Sequence, residues 1–241
     1  MCDLLAFARA IPTVPVQRQM NVAAVAAARS RLTVAGESPG WCAVFTKAFA
    51  ITALRFPELR RAYLSFPRPH LYEHPFSIAS IAVERRHEEE NAVFWGHLRE
   101  PERQPLRELH AQLRRFKEEP ISSIRPFRRM LQLGRLPRPL RRLAWWLALN
   151  LSGRKRAGYL GTFGVSAYSG LGAESLHPIS PLTATMNYGT IGKDGTVSVR
   201  IVYDHRVMDG ATVARALVCL EGVLNGEIVA ELEQEARTIA A

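Results

Sequence analysis

The stretch YDHRVMDGA, residues 203 to 211, places a histidine four positions ahead of an aspartate and follows the pair with small residues. Imidazole changes charge near neutral pH, so His205 is of the right type to take a proton from a thiol or a hydroxyl, provided that a neighbour holds its ring. Asp209, one short turn later, is placed to do this indirectly. A plainer reading makes His205 a histidine that merely closes a strand. The composition of the stretch alone favours that plainer reading.

The elements around the pair decide how it is presented. Val197, Val199, Ile201 and Tyr203 alternate and predict a strand ending at His205. Val213, Leu217, Leu220 and Leu224 then predict a helix, with Gly226 placed to stop it. A histidine between the two stands at a rim but on rigid supports. GKDG (192 to 195) is a turn signal ahead of that strand, and GTFGVS (161 to 166) and TATMNYGTI (183 to 191) read as strands. Further upstream come a short N-terminal helical stretch, a strand over 14 to 22, and a buried helix from Trp41 to Arg55 that Pro57 ends. A β-rich stretch, 62 to 84, is broken by Pro67, Pro69 and Pro75, and NAVFWGHL (91 to 98) is a further strand. Leu106, Leu109, Leu113 and Phe116 mark an amphipathic helix. Strands and helices alternate, which predicts an α/β chain folding as one domain over residues 1 to 241.

Composition narrows the function. Cys2, Cys42 and Cys219 form no CxxC pair, so neither a disulfide framework nor a zinc cage is expected, and a reducing, cytoplasmic setting fits. His70, His74, His87, His97, His110 and His177 show no metal-ligand spacing, so no metal is expected. The N-terminus does not read as a signal peptide, and no apolar run is long enough to span a bilayer. The net charge is +10, and its distribution is uneven. From Pro120 to Ala173 there is no acid but there are ten bases, which leaves 22 of each sign elsewhere. A nucleic-acid binder would spread its basic footprint more widely, so nucleic acid is not expected as a partner.

The DHRVMDGA motif and the upstream GTFGVS together resemble the catalytic domain of the dihydrolipoamide acyltransferases, the core enzymes of 2-oxo acid dehydrogenase complexes. Chloramphenicol acetyltransferase shares their fold. FTKAFAITALRFPELRRAYL (45 to 64) is similar to the family's Lys-Ala helix with its Pro-Glu-Leu signature, and HPFSIASIAVE (74 to 84) to its following strand. The likeness runs from about residue 10 to about residue 230. It implies a chloramphenicol acetyltransferase-like two-layer fold with a mixed β-sheet and packed helices, and acyl transfer from acyl-CoA or another thioester at the subunit junctions of a homotrimer. By the same likeness His205 is the general base, Ser166 the oxyanion donor contributed by the neighbouring subunit, Asp209 a buried structural ion-pair partner, and Thr185 a hydroxyl that assists the intermediate. Read without the motif, Ser166 is a small residue in a tight strand. Coenzyme A enters as a substrate.

The departures from the family point to a stand-alone enzyme. No lipoyl domain or linker precedes residue 1, so no tethered lipoyl group is expected on this chain. The arginine that pairs with the motif aspartate falls ahead of Met1, Ala167 replaces the usual asparagine, and the C-terminal ARTIAA lacks a bulky apolar end. A free trimer is therefore expected, not a cage. The segment at about 120 to 158 is enlarged, and joins arginines to an apolar run, Leu143 to Leu149, that carries Trp145 and Trp146. Arg138, Arg141 and Arg142 stand at a helix start, where the macrodipole disfavours cations. Arg125 to Arg156 therefore reads as a contact for an anionic membrane surface, for the phosphates of coenzyme A or for an acidic acyl carrier protein; the bland alternative is a packed helix with solvated arginines. The alternatives for the whole chain are a catalytic core served by a lipoyl protein in trans and a non-enzymatic trimeric scaffold.

Overall fold

The computed structural model describes residues 2 to 34, 38 to 167 and 172 to 240. Among these residues the strands are β1 (Thr13–Asn21), β2 (Arg61–Leu64), β3 (His70–Glu73), β4 (Ile78–His87), β5 (Glu90–Arg99), β6 (Phe163–Ser166), β7 (Ala184–Tyr188) and β8 (Thr196–Asp204). The helices are α1 (Cys2–Ala8), α2 (Ala23–Val34), α3 (Trp41–Arg55), α4 (Leu106–Glu118), α5 (Arg125–Gly134), α6 (Arg138–Asn150), α7 (Gly153–Leu160), α8 (Gly210–Val223) and α9 (Val229–Ala240). Six strands form one mixed sheet in the order β1-β8-β7-β6-β4-β5, and β2 pairs with β3 in a separate hairpin. The expected α/β class and mixed sheet are present.

Alternation along each strand divides the sheet into two unlike faces. Ala79, Ile81 and Val83, Phe163 and Val165, Ala184 and Met186, and Val197 to Tyr203 at every second position join the main core with α3, α4 and α8. The positions between them put Ser80, Ser166, Thr185, Asn187, Ser198 and Arg200 on the opposite face. The helices are built to cover the first face. On α4, Leu106, Leu109, Leu113 and Phe116 are the buried residues, the spacing expected of an amphipathic helix. This helix has no side-chain cap of its own, and Glu231 of α9 accepts from the Leu106 N–H at 2.8 Å while also pairing with the buried Lys47 of α3. One carboxylate thereby joins three helices.

Two helices differ from the sequence expectation. Helix α2 follows β1 directly and is rich in alanine, with no marked apolar stripe to announce it. Gly226 does not stop α8; the chain passes through a π-turn, Leu224–Ile228, and continues as α9. Leu224, Ile228 and Leu232 are all fully buried, so core burial carries the helix across a residue that local propensity would make its end.

The acid-free segment folds into α5, α6 and α7, and much of it is structural. Phe127 of α5 is fully buried against Phe94 at 4.9 Å, and the Met130 sulfur accepts from the Trp95 N–H at 3.5 Å on the edge strand β5. Leu149 of α6, Leu160 of α7 and Leu182 form a second small cluster with Phe7, Trp95 and Trp145. An edge strand is a pairing hazard, and these helices blunt it.

His74 is buried, and burial with the nearby charges of Arg156 and Arg60 lowers its pKa to about 4. The unfolded chain binds this proton below about pH 6.5 while the folded chain does not until about pH 4, so the associated stability is intact above pH 6.5 and is lost as pH falls toward 4. Urea unfolding at pH 5 is expected to give about 2 kcal/mol less stability than at pH 7 from this group, and His74→Leu is expected to flatten that part of the pH dependence.

Candidate active site

Strand β8 delivers His205 to its rim and the backbone is held on both sides of it. The Asp204 N–H donates to the Thr183 carbonyl at 2.8 Å and the His205 N–H to the Pro12 carbonyl at 3.0 Å. The His205 side chain is exposed, with its ring 5.6 Å from that of buried Tyr203. Gly210 follows closely because the Tyr203 hydroxyl leaves little room for a side chain there: an added Cβ would stand 3.3 Å from it.

Asp209 is not the buried ion-pair partner that the motif suggested. It is exposed, caps α8 by accepting from the Thr212 N–H at 2.7 Å, and makes no ion pair among the described residues. That hydrogen bond, with lesser help from Arg215 and His205, holds its carboxyl below the usual range. The cap shapes the turn between strand and helix, next to His205.

The buried charge belongs to Asp204, which sequence reasoning passed over. Arg206 grips both of its carboxylate oxygens, from Nε at 2.9 Å and from a terminal nitrogen at 2.7 Å, and lies 4.3 Å over the Tyr63 ring of β2. Arg156 of α7 is also buried; it donates to the carbonyls of Tyr63, Leu149 and Pro181, and burial lowers its pKa to about 10 against the opposing pull of Asp204. The residues on either side of His205 thus clamp the rim to the hairpin and to α7. The available signal was an acid closing an apolar strand, with an arginine two residues on.

Ser166 ends β6 and is buried, and its carbonyl accepts from the Asn187 side-chain amide at 2.7 Å. Gly161, at φ 84, turns the chain from α7 into this strand; a Cβ there would meet the Ile78 carbonyl oxygen at 2.8 Å, so glycine is required. Thr185 is buried on the same sheet face, and its Oγ1 meets no hydrogen-bond partner among the described residues. A cavity of about 700 Å³ opens beside Ser166, walled by Trp41, Ile81, Val83, Leu113, Val165 and Tyr188, with Arg114 and Lys117 at its margin. Cys42 also faces it, and burial pushes this thiol's pKa up, away from a reactive thiolate.

One chain does not bring His205 and Ser166 together. Ser166 registers with Asn187, and Asn187 with Arg200, five residues before His205. That is about 16 Å of strand in addition to two interstrand steps. His205 lies just beyond the end of β8, whereas Ser166 stands level with the middle of that strand.

This topology has known counterparts. A truncated catalytic core of the 2-oxoacid dehydrogenase multienzyme complex from Thermoplasma acidophilum superposes with a TM-score of 0.66 at 16% identity, over 93% of this chain and 92% of that one. The chain therefore has the fold of these acyltransferase cores. A dihydrolipoamide acetyltransferase from Azotobacter vinelandii, in which a serine, a histidine and an asparagine were investigated for roles in the catalytic mechanism, gives 0.64 at 17% identity over 100% and 88%. Chloramphenicol acetyltransferase gives 0.50 at 16% over 92% and 94%. Neither a protein-family model nor a curated protein sequence matches the chain. Among the described residues no group of three His, Cys, Asp or Glu could hold a metal ion, and no helix is long and apolar enough to cross a membrane.

Reassigning the buried charge from Asp209 to Asp204 has a direct test in stability. Arg206→Ala, which strands the Asp204 carboxylate, is expected to cost roughly 3 kcal/mol in denaturant unfolding. Asp209→Asn is expected to leave the unfolding midpoint nearly unchanged, because asparagine caps a helix as well as aspartate does.

Proposed function

We propose that the protein is a coenzyme A-dependent acyltransferase whose active site is completed by a neighbouring copy of the chain, with a homotrimer as the working unit. The observation that carries this reading is the separation of His205 from Ser166 within a chain that has an acyltransferase-core fold. A site that uses both residues must take them from two chains. The four-residue interval from His205 to Asp209 equals that between the histidine and the asparagine investigated in the Azotobacter enzyme, which supports the same assignment.

In this mechanism His205 takes the proton from the thiol of coenzyme A, or from the hydroxyl, amine or thiol of an acceptor, as that atom attacks the acyl carbonyl. The new bond to carbon converts the carbonyl oxygen to an oxyanion, which accepts a hydrogen bond from the Ser166 hydroxyl of the adjoining copy. Collapse expels the donor thiolate, which recovers the proton from His205. No acyl-enzyme is formed. Thr185, with its buried and unpaired hydroxyl on the face that carries Ser166, is a second donor available to the intermediate. The turn capped by Asp209 and the Asp204–Arg206 clamp hold the histidine backbone in place. The apolar cavity beside Ser166 suits the acyl chain or an apolar acceptor, since burial of its methylenes is favourable.

Light scattering is expected to give the mass of three chains. His205→Ala is expected to abolish thioester-dependent release of free thiol, and Ser166→Ala to lower it roughly a hundredfold. Co-expressing the two variants is then the sharper measurement. Mixed trimers contain junctions where an intact His205 faces an intact Ser166, so a substantial part of the activity is expected to return. Absence of recovery in verified mixed trimers would exclude a shared site.

A further inference from the structure

Helix α6 carries four leucines, Leu140, Leu143, Leu147 and Leu151, the last at its C-cap, at intervals of three, four and four. Such intervals place them in one row along the helix. They are 54, 53, 39 and 46% exposed, in a protein that buries its other helical rows, while the opposite side of α6 is the one that packs, through Leu149 and Trp145. The row continues into a groove of about 270 Å³ shared with Leu133 of α5 and Tyr159 of α7. Lys155 lines the same groove, Arg154 beside it is exposed, and the Arg129 guanidinium sits 5.7 Å from the Tyr159 ring centroid.

From this juxtaposition we propose that the leucine row of α6, with Arg154, Lys155 and Arg129 beside it, seats the protein on an anionic lipid surface. The helix spans about 20 Å, less than a bilayer core, so it lies along the interface with its leucines among the acyl chains and does not cross. Cations at the edge of the groove then meet the headgroups. Charge selects this occupant: the segment from Pro120 to Ala173 has ten bases and no acid, so an anionic surface complements it where the same patch of a second copy would repel it.

The structure also moves the charged contact from where the sequence placed it. Arg138 and Arg142 lie round the far side of α6 from the leucines by helical spacing, and Arg141 is held by Asp3 at 2.5 Å. Arg156 is buried and has no part in a surface contact.

The test is flotation of the full chain with vesicles of phosphatidylcholine alone and of phosphatidylcholine mixed with phosphatidylglycerol. Wild type is expected to float with the anionic vesicles, less so at high salt, and only weakly with the neutral ones. Leu143→Ser with Leu147→Ser, both exposed and so harmless to the fold by circular dichroism, is expected to lower binding at least about tenfold. Arg154→Gln with Lys155→Gln is expected to lower it roughly tenfold, and Arg138→Gln with Arg142→Gln clearly less. The proposal is overturned if wild type ignores both vesicle types or if the leucine variant binds as wild type does. It is equally overturned if that variant loses its oligomeric mass in solution, because the leucines would then be covered by another chain.

Discussion

A strand turns successive side chains to opposite faces, and six strands in register multiply that alternation into two surfaces of different character. Here one surface is filled by Ala, Val, Ile, Phe and Met against α3, α4 and α8. The other carries Ser166, Thr185, Asn187 and Arg200, none of which the main core could accept unpaired. Sliding a strand by one residue would exchange the two sets. The same register determines how far Ser166 stands from His205, so core packing and the layout of the candidate site follow from one constraint.

Charges taken out of water make that register firm at the rim. Asp204 is buried where β8 ends, with both of its oxygens met by Arg206 and with buried Arg156 nearby. Arg156 is itself supported by three backbone carbonyls, from the hairpin, from α6 and from the segment before β7. Four distant parts of the chain therefore meet at the turn bearing His205. The backbone of His205 is thereby held on both sides.

The acid-free segment has two unlike sides. Its inner side, through Phe127, Met130, Leu149 and Leu160, closes the edge of the sheet and builds the second small cluster. Its outer side leaves leucines, tyrosine and cations in water. The sequence reading set a packed helix and a surface contact against each other as alternatives, and three helices have enough surface for a packed side and an exposed one.

Much of the architecture is legible in the sequence because it is written in local periods: the alternation of β8, the row on α4 and the turn at Gly195 are short-range patterns that burial amplifies. The placement of His205 between a strand and a helix, and of Ser166 at a strand end, is local in the same sense. Alanine-rich α2 and the continuation past Gly226 escaped it, since what holds them is contact with residues far away in the chain. The roles of the two aspartates escaped for a related reason. The two lie five residues apart; Asp209 is a local cap on the N–H of Thr212, and it is the tertiary contacts of Arg206 with Tyr63 and the neighbouring Arg156 that make Asp204 the buried charge. The sequence by itself determined which chemical groups are present and which elements carry them. The separation of His205 from Ser166, the sidedness of α6 and the pairing of each charge were decided by the tertiary structure, because distance and dielectric are properties of the folded chain and not of its order.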